Sequence, residues 1–310
     1  MSYVGRFAPS PTGPLHLGSL TTAVASYLHA RQAGGRWLVR IEDIDPPREA
    51  PGASDDILRT LEAFELEWDE PVLYQSQRRD VYWAAAQGLL RDGRAFHCSC
   101  SRSTLRETSE VPGRYPGTCR TRATHDQSTA VRVRVDPGVE RFFDGLQGEV
   151  AADLSATTGD YLIWRRDNLP AYHLAVVLDD AWQGVTTVVR GCDLLEITPV
   201  HRHLQRALGL PAPEYLHTPI VLSREGQKLS KQTGAAPIDI GDRANLAARV
   251  LALLGTEMPD ELRGVAPRTL WSWALAHWHV TDLRGRQAWS AAVAGGATPG
   301  PSAPGRDPPA

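Results

Sequence analysis

The sequence predicts an α/β fold, an open parallel sheet that takes its ligands at the carboxyl edge, with a metal-stapled insertion. Three observations predict it. The first forty residues read as a strand–loop–helix–strand unit. Later apolar runs end in charged residues, as strands do at a ligand-bearing edge. Three of the four cysteines fall within 22 residues, in a stretch too poor in apolar side chains to build a core.

Composition sets the frame. A chain of 310 residues suffices for one large domain or two moderate ones. With 42% apolar and 22% charged residues it reads as globular rather than disordered. A net charge of −3 gives no global sign of nucleic-acid binding, although local arginine clusters remain available. No run approaches the roughly 18 apolar residues of a membrane span, so no membrane role is expected. The chain enters a strand without a secretion signal, and a cytoplasmic monomer is the expectation.

In the opening unit, the apolar run Tyr3 to Phe7 leads into the loop Ala8-Pro9-Ser10-Pro11-Thr12-Gly13-Pro14. Leu20, Ala23, Val24, Tyr27 and Leu28, spaced by three and four, predict a helix from near Ser19. Gly34-Gly35 stops it, and Trp37 to Ile41 follows as a buried strand. A crossover of this kind puts the loop at the carboxyl ends of the strands, where open α/β sheets bind ligands. His16 stands two residues before Gly18 at the helix N-terminus, whose free amides and dipole favour an anion. The loop is therefore predicted to hold a nucleotide phosphate and a carboxylate.

Further along, Glu42 closes the second strand, and the acidic stretch to Arg48 taken alone reads as a solvated loop. Ser54 is predicted to cap a helix to about Leu66, with Asp55 and Asp56 in its first turn. A second helix covers roughly Asp80 to Arg91 and stops at Gly93. Cys98, Cys100 and Cys119 then suggest a tetrahedral zinc site, with His97, His125 and Tyr115 open as fourth ligand and histidine the commoner choice. Two buried thiols and a chance third remain the plainer reading.

Val131 to Val135 alternates as a strand with a basic face, either wet or against phosphate. Runs over 161–166 and 171–178 are apolar, and Thr186 to Val189 is a strand ending in Arg190. Thr198-Pro199 predicts a helix start, with Thr198 as cap, and the helix runs to about Leu208. His201 and His203, two apart, do not share its face. Pro219 to Leu222 is the last predicted strand, followed by a polar loop with Lys228 and Lys231 around Ser230. Helices are expected near 244–254 and 270–277, and the Ala/Gly/Pro tail from about 291 should stay disordered.

Two motifs then point to a family. Pro14-Leu15-His16-Leu17-Gly18-Ser19 resembles the HIGH signature of class I aminoacyl-tRNA synthetases. Lys228-Leu229-Ser230-Lys231-Gln232 resembles their KMSKS loop, with Leu for Met and Gln for the final Ser. Each match is short; their order and their separation of roughly 210 residues make the pair specific. Arg6 to Gly13, Arg40 to Asp45, Tyr172 and Arg190 to Leu195 resemble the glutamyl branch in particular.

The resemblance spans residues 3 to about 235 and implies a Rossmann-like class I synthetase catalytic domain. Its halves would be 1–95 and 181–240, separated by a zinc-binding, acceptor-type insertion over 96–180. A short helical C-terminal segment, 241–290, and the tail, 291–310, would follow. Only 78 residues lie beyond Gln232, too few for the anticodon-binding module of ordinary glutamyl enzymes. The expected relative is thus the truncated glutamyl paralogue, which activates glutamate with ATP and attaches it to the queuosine base in the tRNA(Asp) anticodon. A minimal synthetase charging a tRNA 3′ end and a non-catalytic tRNA or amino-acid binder are the alternatives.

The same resemblance assigns roles. His16 and Lys231 would be catalytic, and Gly18, Ser19, Lys228 and Ser230 would join them around ATP. Glutamate would lie against Arg6, Phe7, Ala8, Pro9 and Ser10, with Glu42, Tyr172 and Arg190 completing its pocket. Mg²⁺ would accompany ATP. One structural Zn²⁺ would be held by Cys98, Cys100, Tyr115 and Cys119, which replaces histidine by tyrosine as the fourth ligand.

Overall fold

The computed structural model describes residues 2–109, 111–121, 129–223, 226, 228 and 236–290. Predictions made on Arg122, His125, Ser230, Lys231 and the tail 291–310 lie outside the described residues.

The first half opens with β1 (Val4–Phe7), α1 (Leu17–Gln32) and β2 (Arg36–Ile41), with β1 and β2 parallel. Leu20, Ala23, Val24 and Leu28 are fully buried, as their spacing requires of a core-facing helix. Gly35 is needed at the turn, because a Cβ there would stand 2.4 Å from the Tyr3 carbonyl. There follow α2 (Ala53–Ala63), β3 (Leu73–Tyr74), which extends the sheet beside β2, and α3 (Arg79–Arg91). The cap of α2 is Gly52, in the left-handed region at φ 75°, and not Ser54. Ser54 already lies inside the helix, because the Gly52 carbonyl accepts the first intrahelical bond, from Asp56.

The middle of the chain carries β4 (Ala95–Cys98), α4 (Arg102–Thr108), β5 (Ala130–Val133), β6 (Val139–Asp144), β7 (Gly148–Asp153), α5 (Leu154–Thr157) and β8 (Leu162–Trp164). Strands β4, β5 and β8 form an antiparallel sheet of their own. The basic face of β5 is half-buried against aromatic rings. Arg132 lies over the Tyr115 ring at 4.1 Å, and Arg134 over Phe96 at 5.0 Å.

The chain then returns through α6 (Tyr172–Trp182), β9 (Thr187–Gly191), α7 (Thr198–Leu208), β10 (Glu214–Thr218) and β11 (Ile220–Leu222). It finishes with α8 (Arg243–Leu253), α9 (Pro267–His277) and β12 (Ala288–Ser290). β12 pairs in parallel with β11, so β11 is not the last strand. The cap of α7 is Ile197 rather than Thr198. The Thr198 hydroxyl is committed elsewhere, to the Leu194 carbonyl and to Arg190.

A second sheet has the order β7-β6-β10-β9, with β6, β10 and β9 parallel. The hairpin β6–β7 and strand β10 carry no periodic signal strong enough to predict them. The two sheets meet where the Thr186 amide donates to the Val4 carbonyl and the Val4 amide to the Thr186 hydroxyl, both at 2.9 Å. β1 and β9 therefore lie side by side although 182 residues separate these contacts. From β1 the chain leads to one side, and from β9 to the other. That is the switch point at which α/β sheets open a crevice.

The core wraps α1. Trp37, Phe64 and Leu61 pack on one flank, and Leu246, Val250, Leu270, Trp271 and Trp278 of the C-terminal segment on another. The buried indoles keep their N–H groups satisfied: Trp37 donates to Ser26, Trp271 to the Phe64 carbonyl and Trp278 to the Leu254 carbonyl. No described helix is long and apolar enough to cross a membrane.

Candidate functional site

A cavity of about 470 Å³ opens at the carboxyl ends of β1 and β9. The opening loop forms one wall, with Arg6, Phe7, Ala8, Pro9 and Ser10 all lining it. His16, Gly18 and Ser19 line its far end, and Glu42, Tyr172, Arg190 and Lys228 complete it. Every described residue expected around glutamate or ATP thus faces the same space. Ser230 and Lys231 lie outside the described residues.

The loop is held by its own backbone. The Glu42 amide donates to the Pro9 carbonyl at 3.0 Å and the Ala50 amide to the Pro11 carbonyl at 2.9 Å. The Ile238 amide donates to the Leu15 carbonyl at 3.1 Å, so the chain beyond the lysine loop returns to brace the loop. His16 is the N-cap of α1, with its Nδ1 accepting from the Ser19 amide and the Ser19 hydroxyl accepting from the His16 amide. A neutral His16 ring therefore carries its proton on Nε2. Gly18 sits beneath that ring, where a Cβ would come within 3.2 Å of it. Gly18 adds no side chain to the first turn of α1, whose leading amides lack intrahelical acceptors.

Two buried guanidiniums share a carboxylate. Arg6 Nε donates to Asp180 Oδ1 at 3.1 Å and Arg40 donates to the same oxygen at 2.8 Å. Arg40 also reaches Glu42 Oε1 at 3.2 Å. Residues 40 and 42 stand two apart along one strand, which puts them on one face. Burial works to raise the Asp180 pKa, but the cations Arg6 and Arg40 outweigh it and hold it below the usual range. For Glu42 burial wins over Arg40 and Arg6, and its pKa is raised. Burial, with the Glu42 charge, pushes the Tyr172 phenol up to about 12, so it enters as a neutral hydroxyl.

Among the described residues Arg6 uses only its Nε in a side-chain bond, which leaves its terminal nitrogens for a ligand oxygen. Lys228 is paired with Asp193, also on the cavity wall. Pocket chemistry is therefore two-sided, with guanidiniums suited to carboxylates, one buried carboxylate suited to an ammonium, and a helix end suited to phosphate.

Arg40 and Asp180 stand behind the cavity through Arg6, and Asp193 lines it; none of the three was expected from the sequence as a site residue. Arg40 was legible from its spacing to Glu42. Asp179-Asp180 also had a signal: two acids on an otherwise apolar helix, which burial permits only when they are paired.

A second cluster lies in the insertion. The thiols of Cys98, Cys100 and Cys119 all fall within 4.8 Å of one another. Cys98 Sγ is 3.5 Å from the Tyr115 hydroxyl, which also accepts from the Cys119 amide at 2.8 Å. His97 Nδ1 instead contacts the Thr129 hydroxyl at 2.8 Å. A set of three thiols with a phenol beside them fits a tetrahedral zinc in donor type and spread.

Residues 3–259 match the family model for tRNA synthetases class I (E and Q), catalytic domain. The Glutamyl-Q tRNA(Asp) synthetase of Ectopseudomonas mendocina is 50% identical over 282 residues, covering 91% of this chain and 95% of that protein. The protein of the same name from Dechloromonas aromatica is 50% identical over 282 residues, 89% of this chain and 94% of its own. Among solved structures, glutamate-tRNA synthetase from Elizabethkingia anophelis superposes with a TM-score of 0.78 at 25% identity, covering 95% of this chain and 69% of that one. With one cavity placing His16, Gly18, Ser19 and Lys228 at the switch point of the sheet, and these likenesses along nearly its whole length, the chain belongs to the class I tRNA synthetases of the E and Q type.

Proposed function

We propose that this chain activates glutamate with ATP and transfers the glutamyl group to the queuosine base in the anticodon of tRNA(Asp). One observation carries the first half: Arg6, Arg190, Glu42 and the N-terminus of α1 face one cavity of about 470 Å³. Glutamate presents two carboxylates and an ammonium, and those groups match it in number and sign. The second half rests on the relatives at 50% identity that carry the queuosine-specific name.

In the first step a carboxylate oxygen of glutamate attacks the α-phosphorus of ATP. The bond from that phosphorus to the bridging oxygen breaks, and pyrophosphate leaves. Catalysis of this kind is mainly positioning and charge stabilisation. His16, Gly18 and Ser19 hold phosphate oxygens at the helix end, and Lys228 and Lys231 supply positive charge, with Ser230 a hydroxyl. Mg²⁺ enters with ATP as part of the substrate. Arg6 and Arg190 take the carboxylates and Glu42 the ammonium, with Tyr172 closing the pocket. Glutamine is disfavoured because its neutral amide leaves a buried guanidinium unmatched. In the second step a hydroxyl of the queuosine cyclopentene ring attacks the acyl carbon and AMP departs.

Cys98, Cys100, Cys119 and Tyr115 would hold zinc, which when bound cross-links the insertion. Four protein ligands leave no open position for chemistry. Arg102, Arg106, Arg114, Arg120 and Arg122 around that insertion are candidate contacts to the tRNA backbone. Replacing them by Ala should flatten the dependence of tRNA affinity on salt, and unchanged slopes remove them from the interface.

The deciding experiment follows labelled glutamate onto tRNA(Asp) with and without queuosine. Label only on the queuosine-bearing tRNA is expected. Label on unmodified tRNA(Glu) would instead make the chain a minimal 3′-end synthetase. Failure of ATP–pyrophosphate exchange with glutamate, even with tRNA present, would leave only a binding role.

A further inference from the structure

Arg190 is held unlike the other buried guanidiniums of the cavity. Arg6 and Arg40 meet carboxylates directly, at Asp180 and Glu42. Arg190 is only 4% exposed, yet it touches no carboxylate among the described residues. Its Nε donates to His217 Nε2 at 3.0 Å, and one terminal nitrogen donates to the Thr198 hydroxyl at 2.7 Å. Both terminal nitrogens lie 3.3 Å from His201 Nδ1. Every side-chain partner is thus a neutral acceptor.

An acid stands one ring away. His217 Nδ1 and Asp144 Oδ2 are 2.6 Å apart, and both side chains are fully buried. Asp144 is itself anchored, its Oδ1 accepting from the amides of Leu146 at 3.0 Å, Gln147 at 2.9 Å and His217 at 3.2 Å. Since His217 Nε2 must accept from Arg190, the ring proton belongs on Nδ1, where Asp144 takes it. Burial lowers the pKa of His217 despite that acid, so the ring orients Arg190 as a neutral group. An acid in direct contact would compete with a ligand carboxylate for the guanidinium. An imidazole fixes the direction of the guanidinium without that competition.

We propose that Asp144 and His217 are positioning residues for amino-acid recognition: they aim the Arg190 guanidinium into the cavity and leave its charge to a carboxylate of the substrate. The inference rests on the glutamate reading of that cavity. It assigns a specificity role to the hairpin end at Asp144 and to strand β10, neither of which lines the cavity.

The test is Asp144→Asn in ATP–pyrophosphate exchange. The amide nitrogen of the new residue, facing Nδ1, would drive the ring proton to Nε2, against the Arg190 Nε–H. Glutamate KM should rise by about tenfold or more, the worth of a hydrogen bond to a charged group. ATP KM should stay within about twofold, because the phosphate end of the cavity is untouched. A second pair guards against a folding defect. His217→Gln keeps an acceptor oxygen for Arg190 and should recover most of the glutamate affinity that His217→Leu loses. Equal glutamate KM in the Gln and Leu variants, or a parallel rise in both substrates' KM in Asp144→Asn, overturns the positioning role alone. A wild-type protein that neither exchanges nor binds glutamate by calorimetry overturns the substrate reading and this proposal with it.

Discussion

Asp180 shows how one buried residue can tie a site together. Its Oδ1 serves Arg6 and Arg40 at once, and Arg40 passes the connection on to Glu42. Two cations and two anions thus offset one another in a space where a single unpaired charge is costly. Asp180→Asn removes one anion, which leaves Arg6 without a carboxylate partner among the described residues and Arg40 with Glu42 alone. Urea unfolding should show a loss of about 3 kcal/mol or more, the usual cost of breaking a buried ion pair from one side. The depressed Asp180 pKa fixes the sign of its pH effect. Its contribution is present above the unfolded carboxylate range and is lost as pH falls through the lower folded value. A variant as stable as the parent would show that Arg6 and Arg40 are neutralised by other means.

The residue scale also explains what could be read in advance. Arg6 to Ser10, His16 and Gly18 were legible because they are contiguous and stand at a helix start. The pairings of Asp144, Asp180 and His217 were not. Asp180 reaches Arg6 across 174 positions and Asp144 reaches His217 across 73, and no local spacing encodes such pairs. Thr198 misled for the same reason: it has the look of a helix cap, but its hydroxyl is used by Arg190.

At the scale of elements, the insertion is where the sequence read best by chemistry and worst by periodicity. Its three thiols were visible as a cluster, and they do converge. The β4-β5-β8 sheet beside them is short and has one register shift, at Val131/Arg132. On its cysteine side the buried core among the described residues is Phe96, Tyr115 and Ala130 with two of the thiols, and half-buried Cys100, Leu105 and Leu162 pack against it. Such a small core needs a further cross-link. Purified protein should therefore contain about one zinc per chain. Chelation, or Cys98→Ser, should raise amide exchange across residues 95–121 while leaving α1 protected. Metal analysis that finds no zinc, or exchange unchanged by a chelator, removes the structural ion from the account.

At the scale of the whole molecule, three histidines around Arg190 are kept neutral. Burial, then the Arg190 charge, lowers His173 to about 4. The same two influences put His201 well below its ordinary value, and burial lowers His217. A histidine with a lowered folded pKa stabilises the native state above the unfolded value near 6.5, and that contribution fades as pH falls below it. Melting temperature should consequently drop between about pH 6.5 and 4.5, before most carboxylates titrate. His173→Phe should flatten part of that slope. A melting temperature constant over the range would show that these rings are already protonated or equally shielded when unfolded.

The junction of β1 with β9 has a consequence for how the protein comes to exist. Strand β1 borders its partner only after some 180 further residues have been added on the ribosome. Until then the opening loop has no Arg190 opposite it, and closing so long a chain segment carries an entropic cost that local helix formation does not. The binding cavity is accordingly one of the last features a nascent chain acquires. A fragment ending before residue 187 can form β1, α1 and β2 but no site. Substrate affinity thereby reports on completed folding of the catalytic core, and a free amino acid cannot template its early stages.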